Sequence, residues 1–287
     1  MRRQFWVTVF CLAAVACSDG PATDAAPPTG PVATAPASAV PAPAASAAPE
    51  SEPSSAAVLA VDVITEDVAY GATDDYNMNG YMVLPADAID PPAVLVIHEQ
   101  SGLNNDTRQL ARRLAGQGYA VLAVDLYAGN TGRDAEARAA SLVANRAAVL
   151  DNLQQAHTYL DEFVLAPAIG IVGLGLGGDW ALEASLEFGD RIDAVVTYYG
   201  RILIDDELLS SLQAPLLGIF AADDASITSR DVQRFRGLLR DLDKRAQVLI
   251  YPDVDRGFAN PGSDSFSPDV AAEAWNDMLG FLAAELR

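Results

Sequence analysis

The sequence predicts an α/β fold, a mostly parallel, doubly wound sheet flanked by helices in a single domain over residues 58–287. Three observations predict it. Short, continuous apolar runs recur along that stretch, as in A-V-L-V-I-H at 93–98. Amphipathic segments of helical length separate them. The chain of 287 residues is 51% hydrophobic, enough to bury a sizeable core.

The elements follow in order. Val58–Val68 and Gly80–Leu84 read as an opening antiparallel pair. The runs at 93–98, 119–124, 169–173, 194–199, 215–220 and 246–251 suit parallel strands buried on both faces. Asn105–Gln117 carries Leu110 and Leu114 at helical spacing. Ala135–Val164 reads as one long amphipathic helix, and Gly178–Phe188, Arg230–Arg245 and Asp269–Leu286 as three more. Alternation on this scale argues for helices on both faces of the sheet, with any site beyond the carboxyl ends of the strands.

The first 57 residues are of another kind. Arg2 and Arg3 precede an apolar stretch from Phe5 to Ala16, too short to span a bilayer. This is the pattern of a signal peptide over 1–16, and A-V-A-C at 14–17 is similar to a bacterial lipobox with Cys17 as the lipidated residue. Residues 18–57 hold 14 Ala and 9 Pro, which forbids a helix and reads as an extended tether. The expectation is an exported lipoprotein of the cell envelope, anchored on the periplasmic side of a membrane. Ser18 lacks the acidic residue that retains some lipoproteins at the inner membrane, which leaves the outer membrane open.

Composition excludes some functions. With 18 Lys+Arg against 39 Asp+Glu, a net charge of −21 makes a poor partner for nucleic acid or anionic lipid. Both cysteines, Cys11 and Cys17, precede the predicted domain, so the domain has no disulfide or thiolate metal site. Any histidine chemistry must use His98 or His157.

The strand ends carry the strongest signals. Strand 169–173 runs into G-L-G-L-G-G at 173–178 and then a helix, the setting of a nucleophile elbow. A phosphate loop would look similar, but the lysine and Ser/Thr of a Walker loop are absent. Further strand ends read I-H-E-Q-S-G-L-N at 97–104, L-A-G-Q-G-Y-A-V-L-A-V-D-L-Y at 114–127, V-T-Y-Y-G at 196–200, L-G-I-F-A-A-D-D at 217–224 and I-Y-P-D-V-D-R-G-F-A-N-P at 250–261. With A-E-A-W at 272–275, these segments together resemble the dienelactone hydrolase family over the whole of 58–287.

The resemblance implies an α/β-hydrolase fold. It implies hydrolysis of lactones or small esters through a Cys–His–Asp triad, with no metal or other cofactor. The family's nucleophilic cysteine falls on Gly175, its acid on Asp224 and its histidine on Arg256. Its site glutamate matches Glu99, and Tyr127 and Tyr199 match aromatic positions near its pocket.

Two triad positions are therefore chemically changed. Glycine offers no atom that attacks a carbonyl. Arginine stays protonated and cannot serve as a base. Either change alone should remove several powers of ten in rate. Alternation on the strand end points His98 away from Glu99, so His98 reads as a satisfied core histidine. His157 lies mid-helix and reads as a packing residue. Ser101 is a conceivable nucleophile without a base in view, and Asp223 reads as a second acid on a loop. An Arg256–Asp224 ion pair near Glu99 is expected; otherwise Arg256 snorkels outward to solvent.

Three functional readings follow. The first is an impaired family member that binds a small polar or carboxylate ligand, or a partner. The second is an active ester or lactone hydrolase with a displaced nucleophile or base. The third is a purely structural envelope lipoprotein.

Overall fold

A computed structural model of the chain describes residues 61–72, 77–130 and 134–287. The expected signal peptide, lipidated Cys17 and tether lie outside the described residues. Among the described residues, eight strands make one sheet in the order β1-β2-β4-β3-β5-β6-β7-β8. They are β1 Val63–Ala72, β2 Asn77–Pro85, β3 Ala93–Ile97, β4 Ala120–Val124, β5 Ile169–Leu174, β6 Ala194–Tyr198, β7 Leu216–Ala221 and β8 Ala246–Tyr251. From β4 to β8 every pairing is parallel, while β2 runs antiparallel to both neighbours.

Strands β3 and β4 have all five residues buried, as continuous apolar runs require of strands covered on both faces. The opening strand differs from expectation. It starts at Val63 and continues to Ala72, because its ladder with β2 passes through a register shift between Ala69 and Gly71.

Among the described residues, seven α-helices flank the sheet: α1 Asn105–Ala115, α2 Ala135–Ala144, α3 Arg146–Glu162, α4 Leu176–Phe188, α5 Asp206–Ser210, α6 Ser229–Asp241 and α7 Pro268–Leu286. The single helix expected over Ala135–Val164 is two. Asn145, at φ −114° and ψ 41°, leaves the helical region and separates α2 from α3. The short α5, capped by the Asp205 side chain, carries no periodic signal long enough to read.

Two cores result. Helices α3, α4 and α6 pack on one face through Leu153, Trp180 and Phe235; α1 and α7 pack on the other through Leu114, Met278 and Leu282. The chain leaves β3 for β4 on one side and returns through β5 on the other. That reversal opens a crevice beyond the carboxyl ends of β3 and β5, where a ligand site is expected.

Candidate functional site

The crevice is built by glycines. Gly175 alone turns the chain from β5 into α4, at φ 54° and ψ −117°. An L side chain enters that region only with strain, and glycine does so freely. Around it the helix lies against the sheet with no room for a Cβ. On Gly173 a Cβ would strike the Gly177 carbonyl, on Gly177 the carbonyls of Ile97 and His98, and on Gly178 the Thr197 hydroxyl. At Gly175 the space is open. A Cβ there would stand 3.8 Å from Glu99 Cγ and 3.9 Å from Arg256 Nη2.

The two residues matched from the sequence to the family's acid and histidine converge on the same point. Asp224 follows β7 and is buried. Its Oδ1 accepts from the backbone N–H groups of Ser226 at 2.7 Å and Ile227 at 3.0 Å. Its Oδ2 faces Arg256 Nη1 at 3.4 Å, so the expected ion pair is present. The Arg256 side chain keeps 37% of its surface exposed and lies 5.8 Å from the centre of the Tyr199 ring.

Glu99, just past β3, completes the group. Its Oε1 accepts from the Tyr199 hydroxyl at 3.0 Å and its Oε2 from Asn260 Nδ2 at 2.6 Å. Burial, then the Glu99 charge beside it, pushes the Tyr199 pKa well above the usual phenol value, so the hydroxyl remains a donor. Tyr199 holds φ 39°, a strained backbone for an aromatic residue, and its N–H bonds Ile219 O at 2.7 Å.

Comparison with known proteins bears on this geometry. The model of the dienelactone hydrolase family matches residues 78–286. The chain belongs to the dienelactone hydrolase family. An Escherichia coli (strain K12) protein named "Putative carboxymethylenebutenolidase" is 27% identical over 223 residues, covering 71% of this chain and 81% of that one. A protein of the same name from Saccharolobus solfataricus is 25% identical over 229 residues, covering 66% of this chain and 88% of that one. The crystal structure of a "Putative Dienelactone Hydrolase" from Klebsiella pneumoniae superposes with a TM-score of 0.70 at 27% identity, covering 77% of this chain and 99% of that one. The fold is the α/β-hydrolase fold of this family.

Within this dienelactone hydrolase fold, the remaining residues singled out in the sequence have structural partners. His98 is buried, with Nδ1 at 2.6 Å from Glu99 O, while Nε2 accepts from the Leu126 N–H at 3.1 Å. Those partners assign the proton to Nδ1 and leave neither nitrogen free as a base. Burial lowers its pKa from 6.5. His157 is buried against Phe188 and pairs with Arg191 O at 2.9 Å. Ser101 is exposed, and its Oγ accepts from Asn104 Nδ2 at 3.2 Å. Asp223 is exposed, so Asp224 is the buried member of the pair. Tyr127 serves the loop instead of the crevice. Its ring lies tilted 4.8 Å from that of His98, and its hydroxyl donates to Gln100 O at 3.1 Å.

A small cavity of about 70 Å³ opens on the α1 side of Glu99. Its walls include Val96, Leu110, Arg113, Leu174 and Asn260, and they exclude Gly175, Asp224 and Arg256. Glu99 therefore stands between the cavity and the elbow. Asn260 and Asp179 were not singled out from the sequence. Asn260 lay inside the recognisable segment 250–261 but carries no signal of its own. Asp179, four residues after Gly175, accepts from the Arg201 N–H. Burial raises its pKa, against the pull of Arg201 and Arg256.

Proposed function

We propose that this chain is a dienelactone hydrolase family member that binds a small polar or carboxylate ligand without hydrolysing it. The observation that carries the reading is Gly175: the elbow is formed, but the residue on it has no atom to attack a carbonyl. Arg256, which cannot take up a proton, occupies the family's histidine position and reinforces the reading. What remains is a crevice floored by an acid, a cation and hydrogen-bond donors, chemistry suited to holding a polar group. The lipobox-like A-V-A-C at 14–17 and the Ala/Pro-rich stretch after it support placing this domain at the cell envelope as a tethered lipoprotein.

The test compares the chain with its Gly175→Cys, Arg256→His double variant on p-nitrophenyl esters and small lactones. A silent parent and a variant that turns over are the expected pair of results. Parent turnover that the double variant barely changes would overturn the reading, and Ser101 and His98 would then be mutated first.

A further inference from the structure

The end of the sheet opposite the crevice carries the most exposed apolar side chains. Among the described residues, the three largest exposures of large apolar side chains are Ile89 at 89%, Phe163 at 74% and Leu165 at 67%. All three sit on loops at the amino ends of the parallel strands: Ile89 between β2 and β3, Phe163 and Leu165 between α3 and β5. The Ala93 N–H bonds Ala168 O at 2.8 Å and joins the two loops where β3 and β5 begin. The chain enters the domain at the same end. The N–H of Val61, itself exposed, bonds Gly116 O at 3.2 Å in the turn before β4, and the Ala86 N–H bonds Asp62 O at 2.8 Å. Single apolar side chains on a surface are ordinary, so their grouping at one end is what counts. Two further features mark it. Leu165 keeps φ 58°, a strained left-handed backbone for a branched apolar residue, and the Phe163 ring stacks on Tyr159 at 5.5 Å.

We propose that this amino end of the domain docks on the surface of a zwitterionic bilayer, with the crevice facing away from it. The proposal rests on the tethered-lipoprotein reading above, which supplies the occupant. Residues 18–60 separate Cys17 from Val61, and even fully extended they span roughly 150 Å at most. A lipid on Cys17 keeps the domain within that distance of the membrane, at an effective concentration where a weak contact suffices. The protruding Ile89, Phe163 and Leu165 side chains shed water on entering the boundary between headgroups and acyl chains, a depth that suits aromatic and leucine side chains. Charge selects the lipid. Exposed Asp62, Asp87, Asp90, Asp161 and Glu162 adjoin the apolar residues in the chain, so an anionic headgroup is repelled.

The test supplies the anchor chemically. The full chain, with Cys11→Ser, is coupled through Cys17 to a maleimide lipid in phosphatidylcholine vesicles and compared by hydrogen exchange with the same chain capped at Cys17 and free in buffer. Anchoring should slow exchange over 86–90 and 163–168 by about fivefold or more, as for a face covered most of the time, and leave 100–104 and 256–262 unchanged. Phe163→Ser with Leu165→Ser should remove most of that slowing, and replacing a third of the lipid with phosphatidylglycerol should reduce it. If circular dichroism finds the double variant unfolded, Ile89→Ser on the other loop decides: lost slowing supports the proposal, and retained slowing overturns it. No slowing at either loop, slowing at the crevice loops instead, slowing that survives the double variant, or stronger slowing on the anionic vesicles would each overturn the proposal. So would protection of the same loops in the capped chain that rises with its concentration, which would assign the face to a second copy. Acylation of Cys17 in cells is read separately by mass spectrometry. Its absence would sink the lipoprotein reading, while the synthetic anchor still decides whether this face takes up a bilayer.

Discussion

The strand ends on the two sides of the crevice have diverged in different ways. After β3 and β4, the acid and the histidine are fully partnered: Glu99 holds Tyr199 and Asn260, and His98 ties Glu99 O to the Leu126 N–H. After β5, β7 and β8, the frame is equally complete. The elbow turns at φ 54°, Asp224 is anchored by two backbone N–H groups, and Arg256 faces it. On the proposed reading, the positions matched to the family's nucleophile and histidine hold a hydrogen atom and a cation there. The lesson is that backbone geometry and reacting side chains rest on separate interactions. The glycine packing of Gly173, Gly177 and Gly178 shapes the elbow whatever stands at 175.

The largest effect should come from testing that packing directly. Gly177→Ala forces a Cβ into two backbone carbonyls and should cost about 3 kcal/mol or more in urea unfolding. Gly175→Ala, with its nearest neighbour at 3.8 Å, should cost only the strain of its dihedral angles, about 1–2 kcal/mol. Equal losses would break the separation of frame from chemistry.

A middle-sized effect concerns Asp224. Asp224→Ala leaves the N–H groups of Ser226 and of buried Ile227 without an acceptor and should cost about 2 kcal/mol. Asp224→Asn keeps an acceptor, and the pair with half-exposed Arg256 contributes under about 1 kcal/mol, so its loss should be small. Thermal unfolding of the two variants side by side measures the difference. A charge-removing variant as damaging as the truncation would assign the acid's role to the ion pair instead of the loop.

The smallest effect is in the pH dependence. Burial holds the folded-state pKa of His98 below 6.5, so on acidification the unfolded chain takes up this proton first. The His98 contribution is therefore complete above about pH 6.5 and is lost as pH falls through the folded value. Stability should decline from pH 7 toward pH 5, by at most about 1.4 kcal/mol per pH unit for one proton. His98→Gln, which keeps a donor and an acceptor, should flatten the slope. An unchanged slope in that variant would remove His98 as its source.

Much of the fold was legible. The parallel strands were readable because burial on both faces forces unbroken apolar runs, and β3 at Ala93–Ile97 is such a run. The break at Asn145 was not, since asparagine inside an amphipathic pattern does not by itself end a helix, and its non-helical dihedrals appear only in the folded chain. Of the site, the positions of Gly175, Asp224 and Arg256 were legible through ordered motifs at strand ends. Asn260 was not, because its partner Glu99 lies 161 residues away. Tyr127, matched to an aromatic position near the family's pocket, donates its hydroxyl to Gln100 O, the residue after Glu99, a partner no local pattern names.

The amino-acid sequence by itself determined the element types, their alternation and the chemistry available at the elbow. Those follow from local periodicity and from which atoms a side chain owns. Tertiary structure alone decided which groups meet. It brought Tyr199 to Glu99 across 100 residues, used both nitrogens of His98 in backbone contacts and set Arg113 over the Trp275 ring. Partnership depends on where packed elements aim their side chains, and no local pattern encodes that direction.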